Sequence, residues 1–277
     1  MARSVLSNLS DTARWTAHYR AEESARPDAL FSDPYAAGLA GERGRVIAEA
    51  ARRSFGNGWF FIARTRIIDD FVAEALAAGC DRVVNLAAGL DTRPYRLDLP
   101  AGLEWVEVDL PELIEEKNAA LAAETPRCEL TRMAVDLTDG DARRECLRTA
   151  TAGAAKALVI TEGLLLYLDE SEVRAIAADL ATVPVAWWIT DVIGPGVVAL
   201  TARSAKRNNA RLTFGPADGI AFFERAGWSV RSRRSQLPEA ARWGRVSPVL
   251  RLLSRLPAPN PRRPGRAPWS AVLLLSR

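Results

Sequence analysis

The first quarter of the chain places apolar residues at helical spacing between polar ones. Residues 1–55 are predicted to be helical and amphipathic, with a break at Pro27 and a second helix over residues 36–53. Apolar residues recur every three or four positions over residues 64–78, which predicts a third helix that Gly79 ends. This part of the chain therefore predicts helices and no strand.

From residue 82 onward, short apolar runs alternate with helical patterns. The runs predict seven strands, at residues 82–86, 103–108, 129–135, 157–161, 185–193, 228–233 and 271–276. Helices are predicted at residues 111–123, 141–149, 171–180, 220–226 and, within an arginine- and proline-rich stretch, 249–256. This alternation predicts an α/β fold with a doubly wound, mostly parallel sheet.

Small and acidic residues stand where the first four predicted strands end. In a doubly wound sheet, ligands bind beyond the carboxyl ends of the strands. The residues at those ends are 85–93, Asp109, Asp136 and Glu162. We therefore expect these positions to form a ligand site, and their coincidence is the strongest functional signal in the pattern.

Cysteine and histidine usage excludes several classes of protein. The chain has three widely spaced cysteines, no C-x-x-C motif and one histidine, His18. A disulfide framework, a cysteine-rich zinc site and an H-E-x-x-H metalloprotease are therefore not expected, and we predict no metal ion. Unpaired thiols are typical of a reducing cytoplasm. No apolar run approaches the roughly 18 residues of a membrane span, and residues 1–10 do not resemble a secretory signal.

The net charge of +3 is mild, but arginine is concentrated towards the C-terminus. The stretch at residues 225–277 is rich in arginine and poor in acids: it contains Glu239 and directly follows Glu224. Such a stretch is either a solvated basic face or a contact for phosphate or an acidic partner. Residues 229–268 contain one aromatic residue, Trp243, so the base-stacking surface of a nucleic-acid-binding module is not expected.

The first two strand ends predict contacts to a nucleoside. Gly89 lets the backbone approach a ligand closely. A single glycine is not the G-x-G-x-x-G motif, which counts against an NAD-dependent reductase of the same sheet class. Asp109 follows Gly89 by 20 residues, at the position where nucleoside-binding folds hold ribose hydroxyls. A helix N-cap before Pro111 is the alternative role for Asp109.

The next two strand ends extend this prediction. Asp136 could accept a hydrogen bond from the exocyclic amine of adenine, with Leu137 as an apolar wall, and a loop cap is the alternative. Glu162 is costly to bury without a partner. It could therefore hold a ligand cation or pair with an arginine such as Arg64.

Four motifs, specific in combination, occur in one order along the chain. They are FIART at 61–65, VNLAAGLDTR at 84–93, VEVDLP at 106–111 and ITEGLLLYL at 160–168, preceded by TARW at 12–15 and DPY at 33–35. Over residues 8–195 the chain resembles the leucine carboxyl methyltransferase family. That family includes a bacterial branch of polyketide O-methyltransferases, such as the tetracenomycin enzymes.

The resemblance implies a class I methyltransferase fold in a single domain, residues 1–277. Within that domain, it implies a helical lid, a cofactor-binding core and an acceptor-side insert with the closing strands, at residues 1–63, 64–195 and 196–277. The implied reaction is methylation of a small secondary metabolite on oxygen, and no membrane partner is expected.

The resemblance also implies S-adenosylmethionine as the cofactor and assigns roles at matching positions. Arg64 would pair with the cofactor's carboxylate, Asp109 would hold the ribose diol, and Glu162 would face the amino group and the sulfonium side. Ala87 stands where eukaryotic members have the first of two glycines. The other implied cofactor-binding residues, in the first and third loops, are Gly89, Asp91, Asp136 and Leu137.

The acceptor is expected to carry a carboxylate or a hydroxyl group. A carboxylate needs no general base at neutral pH, because its pKa is about 4, whereas a phenol near 10 benefits from one. A single histidine favours the carboxylate. The candidate catalytic residues are His18 and Tyr167, and the candidate acceptor-binding residues are Tyr19, Arg20 and Arg93.

Overall fold

A seven-stranded sheet forms the centre of the computed structural model, which describes residues 3–204 and 212–277. Its strands are β1 Arg82–Leu86, β2 Glu104–Asp109, β3 Glu129–Ala134, β4 Ala157–Thr161, β5 Val185–Ile193, β6 Ser229–Ser235 and β7 Ser270–Ser276. Their spatial order is β3-β2-β1-β4-β5-β7-β6. Strands β1 to β5 are parallel, and β7 is antiparallel to β5 and β6. The predicted doubly wound, mostly parallel sheet is confirmed.

Helices flank the sheet and precede it. They are α1 Arg3–Ser24, α2 Ala36–Phe55, α3 Trp59–Ala77, α4 Arg93–Arg96, α5 Pro111–Ala120, α6 Gly140–Ala150, α7 Glu170–Leu180, α8 Pro195–Ser204, α9 Ala221–Arg225, α10 Gln236–Arg242 and α11 Pro248–Leu253, with a 3-10 turn at Leu165–Tyr167. Residues 205–211 of the predicted acceptor-side insert lie outside the described residues.

Apolar side chains cover both faces of the sheet, as a parallel sheet requires. On one face, Leu147 and Val173 of α6 and α7 pack with Trp188 and Trp228. On the other face, α3 packs its apolar stripe against the strands, and its buried members include Ile67, Ile68, Phe71 and Val72. Full burial of one such side chain contributes about 1.5–3 kcal/mol. The two cores hold the strand ends in a fixed arrangement.

The two N-terminal helices pack on each other and against the loop after β1. Ala17 of α1, Leu39 of α2 and Leu90 of that loop share one buried cluster. The chain passes from α2 to α3 at Gly58, where φ is 67° and a Cβ atom would lie 2.4 Å from the Tyr19 ring. Glycine is therefore required there on both backbone and steric grounds.

Several element boundaries differ from their predictions. Helix α3 begins at Trp59 rather than at residue 64, because Phe61 and Ile62 are also buried against neighbouring elements. The short helices α4, α8 and α10 were not predicted from the pattern. Four to ten residues carry too little periodicity to mark a helix, and tertiary packing decides their conformation.

The arginine-rich C-terminal stretch forms many ion pairs with the rest of the chain. Arg245 is buried and binds Glu23 of α1 at 2.8 Å, and Arg234 binds Asp70 of α3 at 2.6 Å. Much of this basic charge therefore stabilises tertiary contacts. Across residues 3–204 and 212–277, no helix has the length and hydropathy that crossing a membrane requires.

Candidate functional site

A cavity of about 2190 Å³ opens at the carboxyl edge of the parallel strands. The loops after β1, β2, β3 and β4 contribute to its lining, together with α1, α3 and the segment around α11. This is the place at which doubly wound sheets bind ligands, because the strand order reverses between β1 and β4. The strand ends singled out in the sequence therefore share one site.

The loop after β1 is tightly curled. Ala87 and Gly89 both have positive φ angles, of 54° and 49°. Positive φ is costly for alanine and not for glycine, so Ala87 is a strained position. The Gly89 N–H donates to Asp109 Oδ2 at 2.6 Å, which ties this loop to the end of β2.

Asp109 is buried and lines the cavity. Its other oxygen accepts the Leu110 N–H at 2.8 Å, and α5 begins after Leu110 without a side-chain cap. The alternative role as an N-cap of α5 is therefore not what the structure shows. Burial raises the pKa of Asp109 above its ordinary value, and the hydrogen bonds from Gly89 and Leu110 oppose this effect only in part.

The third strand end supplies one polar and two apolar groups. Asp136 is exposed at the cavity, where Oδ1 accepts hydrogen bonds from the N–H and hydroxyl of Thr138. Val135 and Leu137 line the cavity on either side of it. The residues predicted to flank adenine therefore lie together, and Asp136 also caps its own loop.

Glu162 and Arg64 pair directly at the end of β4. Arg64 Nε donates to Glu162 at 2.9 Å, and its Nη1 donates to Asp191 of β5 at 3.0 Å. Burial alone would raise the pKa of Glu162, but the guanidinium groups of Arg93 and Arg64 hold it below its ordinary value. Glu162 is therefore an anion that lines the cavity.

These residues belong to a larger buried network of charges. Arg93 donates to Glu162 at 2.7 Å, to Asp91 at 2.8 Å and to Asp69 at 2.7 Å. We call the set the ionic network, and its nine members are Arg20, Asp33, Arg64, Asp69, Asp91, Arg93, Arg96, Glu162 and Asp191. It contains four guanidinium groups and five carboxylates, so it carries one negative charge in excess.

The structure gives Arg20, Arg93 and Asp91 positions inside this network. Arg20 binds Asp33 at 2.8 Å and the Leu90 carbonyl at 2.6 Å, which anchors α1 to the loop after β1. Asp91 accepts the Arg93 N–H and the Asn85 amide. Arg20 and Arg93 line the cavity, and the donors named above bind protein groups. Their contact with an acceptor stays a prediction.

Of the two predicted catalytic residues, His18 and Tyr167, only Tyr167 is among the residues that line the cavity. Tyr167 lines the cavity, and burial raises the pKa of its phenol, so the hydroxyl stays protonated at neutral pH. His18 and Tyr19 lie outside the cavity lining. The Tyr19 ring is fully buried against Phe61, and its hydroxyl donates to the Gly56 carbonyl at 3.2 Å. Helix α1 turns Tyr19 towards Ala48 of α2 and Phe61 of α3, whereas His18 lies 3.5 Å from Glu22 on α1 itself.

Sequence reasoning missed some cavity residues. Asp191 was inside a run interpreted only as a buried strand, although a lone acid in such a run already indicates a buried ion pair. Thr65 and Asn85 also line the cavity, and each has a buried side-chain oxygen without a hydrogen-bond partner in the described part of the chain. Unpartnered buried acceptors and hydroxyls indicate room for a ligand donor.

Comparison with known proteins identifies the family of the chain. The profile of the family described as leucine carboxyl methyltransferase matches residues 13–181. The chain belongs to the leucine carboxyl methyltransferase family. A relative from Rhodococcus jostii, 34% identical over 270 residues, covers 89% of this chain and 91% of its own length. It carries the name of an S-adenosyl-L-methionine-dependent methyltransferase.

Other relatives match over a shorter region. A protein of Parafrankia with the same kind of name is 38% identical over 179 residues, which is 61% of this chain and 57% of that protein. Among solved structures, a DUF574 family protein from Streptomyces avermitilis superposes with a TM-score of 0.62 at 12% identity, over 96% of this chain and 97% of its own. At that identity, the likeness shows the fold alone.

These findings confirm two predictions, and one finer prediction stays untested. The family and the class I fold predicted from the sequence are confirmed. The two alternatives, an NAD-dependent reductase and a basic nucleic-acid-binding module, find no support among these relatives. The finer placement beside the tetracenomycin enzymes stays a prediction.

Proposed function

We propose that this family member is an S-adenosylmethionine-dependent O-methyltransferase that acts on a small secondary metabolite in the cytoplasm. S-adenosylmethionine is its cofactor, as the family and the names of the relatives indicate. The single observation that carries the proposal is the convergence of Asp109, Asp136 and Glu162 on one cavity. Three acids, at the ends of β3, β2 and β4, match a ligand with an exocyclic amine, a ribose and a cationic end.

The residues present fit this cofactor. Asp109 has lone pairs beyond those that the two backbone N–H groups use, and these would accept the ribose hydroxyls. Leu137 and Val135 would contact the adenine, with Asp136 near its amine. Arg64 and Glu162 would hold the amino-acid end. The unpartnered oxygens of Thr65 and Asn85 would take donors from the ligand.

The charge of the ionic network supports a cationic ligand. The network carries one negative charge in excess, and S-adenosylmethionine carries a net charge of +1 at neutral pH. A buried excess charge is costly unless a partner neutralises it. An NADH molecule, whose pyrophosphate is anionic, would add to the imbalance, so the network favours the methyl donor over the dinucleotide.

The residues of the chain supply alignment and exclude water from the reaction. Bound S-adenosylmethionine supplies a methyl group on a sulfonium, which a nucleophile displaces in line. Glu162 and Arg64 would orient the cationic end, and Tyr167 could donate a hydrogen bond but not remove a proton, because its pKa is raised. The lid helix α1 contributes Thr12 and Trp15 to the cavity lining. Such positioning is worth several powers of ten in rate.

A carboxylate acceptor suits this arrangement best. Its oxygen can form the new bond to carbon while the carbon–sulfur bond breaks, and no proton has to move. A hydroxyl acceptor would have to lose a proton, and His18 lies outside the cavity lining. We therefore favour a carboxylate acceptor over a hydroxyl acceptor, and the product would be a methyl ester.

The acceptor atom can be tested with S-adenosylmethionine labelled on its methyl group. Products from panels of carboxylic acids and phenols are treated with mild alkali, which hydrolyses methyl esters to volatile methanol and leaves methyl ethers intact. We expect alkali-labile label, and His18→Ala within a few-fold of wild-type turnover. Alkali-stable label, with a loss of roughly 10²–10⁴ in the variant, would overturn the carboxylate proposal.

A further inference from the structure

Four apolar side chains that line the cavity are about half or more exposed to solvent. Val46 of α2 is 50% exposed, Leu200 of α8 is 52% exposed, and Leu253 of α11 is 47% exposed. Leu256, just beyond α11, is 63% exposed, and all four line the cavity. Scattered exposed leucines are ordinary, but four exposed apolar residues that line one cavity, from three separate parts of the chain, indicate a binding surface. We call these four residues the apolar rim.

Much of the remaining lining is also apolar. Trp59 and Phe60 of α3 line the cavity, together with Leu237, Val246, Leu250 and Pro257. The charged groups of the ionic network that line it lie at the carboxyl edge of the strands. The cavity therefore combines a charged part at the strand ends with an apolar part.

Three polar residues near this apolar lining have protein partners. Arg245 is 4% exposed and bound to Glu23 and Asp28, and the Asn57 amide donates to the Arg245 carbonyl at 3.0 Å. Ser247 accepts the Leu250 N–H as the N-cap of α11. These three groups are therefore committed to protein contacts, and most of the surface left there for a ligand is hydrocarbon.

The volume leaves room for more than the cofactor. Pockets for drug-sized ligands measure about 300–1,000 Å³, and this cavity measures about 2190 Å³. Even after a ligand of that size fills the charged end, a comparable space remains towards α11. An acceptor that filled it would be extended or bulky.

We propose that the acceptor is a lipophilic carboxylic acid whose apolar body runs from the cofactor towards the Val46, Leu200, Leu253 and Leu256 rim. The proposal rests on the proposed function, since it needs the reacting oxygen at the charged end. The rim would contact the part of the acceptor farthest from the reacting atom. Chain length, rather than polar contacts, would then decide which acids bind.

The first test uses straight-chain carboxylic acids from hexanoate to dodecanoate, kept below micelle-forming concentrations. Each is titrated calorimetrically into the full chain with S-adenosylhomocysteine bound. We expect affinity to rise about threefold to fourfold per added methylene until the chain end reaches solvent. An affinity that does not change with length would overturn the proposal, while bound S-adenosylhomocysteine would leave the proposed function standing.

The second test uses two matched pairs of substitutions around α11. Leu253→Asn with Leu256→Asn alters the rim, whereas Val249→Asn with Leu252→Asn alters residues that are 68% and 65% exposed and lie outside the cavity lining. The rim pair should weaken dodecanoate binding at least tenfold and leave S-adenosylhomocysteine binding unchanged. The outer pair should change neither.

Two outcomes would contradict this assignment. Equal weakening by both pairs would show that the helix, not the rim, matters. Sedimentation velocity provides the other check, because a second copy of the chain could cover the same apolar surface. A wild-type dimer that either pair converts to a monomer would assign the surface to self-association and overturn the proposal.

Discussion

At the residue scale, the loop after β1 combines strain with function. Ala87 adopts a left-handed conformation with φ 54°, and two residues later Gly89 donates its N–H to Asp109. The strained conformation of Ala87 is tolerated because the loop has to curl back towards the end of β2. Ala87 stands where eukaryotic members of the family have a glycine, and its backbone conformation is one that favours glycine.

Ala87→Gly should stabilise the protein. The left-handed conformation costs alanine roughly 1–2 kcal/mol, and glycine adds about 0.4–1 kcal/mol of chain entropy to the unfolded state. We expect the melting temperature to rise by up to about 3 °C. Ala88→Gly is the control, because φ at Ala88 is not positive, and it should lower the melting temperature. A lower melting temperature for Ala87→Gly would show that the position is not strained.

The acids at the strand ends were predictable from the sequence, and so was the pair of Glu162 with Arg64, but the other partners were not. Asp109 and Glu162 directly end apolar runs, so their place at the carboxyl edge followed from the pattern. Asp69 and Asp191 lie 93 and 29 residues from Glu162, inside a helix and a strand. The pairing of Asp191 with Arg64 and of Asp69 with Arg93 depends on tertiary packing, which periodicity does not encode.

At the element scale, α1 is fixed to the site by buried ions. Arg20 joins Asp33 and the Leu90 carbonyl, and Thr92 donates to the same Asp33 oxygen at 2.7 Å. Burial alone would raise the pKa of Asp33, but Arg20 and Thr92 hold it below its ordinary value. The long helix α1 was predictable from its pattern, but this contact with the loop after β1 was not.

Arg20→Met should therefore destabilise the fold more than loss of an exposed arginine. Removing one partner of a buried pair costs about 3–5 kcal/mol, and we expect the lower end because Thr92 still donates to Asp33. Arg43→Met is the matched control, because its pair with Asp11 also joins α1 and α2 but is exposed. Its loss should cost no more than about 1 kcal/mol. If urea unfolding shows the same loss of unfolding free energy in Arg20→Met and Arg43→Met, the role given to Arg20 is wrong.

At the scale of the whole molecule, the ionic network makes stability depend on pH. The pKa values of Asp33, Asp91 and Glu162 are held below those of the unfolded chain by nearby guanidinium groups. The folded state therefore binds fewer protons than the unfolded state near pH 4, and stability rises with pH there. Asp109, whose pKa is raised by burial, acts in the opposite direction.

Because three acids of the ionic network have lowered pKa values and Asp109 has a raised one, we expect a net loss of stability in acid. We expect the urea midpoint to fall as the pH is lowered from about 5 to 3, through the unfolded pKa values of about 4. Glu162→Gln removes one of these contributions and should flatten that dependence. A midpoint that stays constant or rises over the same range would contradict the charge assignment of the network.

If the strand-end acids bind S-adenosylmethionine, calorimetry will show it. S-adenosylhomocysteine titrated into the wild type should bind, and NADH should not. Asp109→Asn should weaken binding tenfold or more, because a hydrogen bond to a charged group contributes about 1.5–3 kcal/mol. Asp139→Ala removes the N-cap of α6, outside the cavity lining, and should leave the affinity unchanged. Equal binding of NADH, or full affinity in Asp109→Asn, would mean that these acids do not hold S-adenosylmethionine.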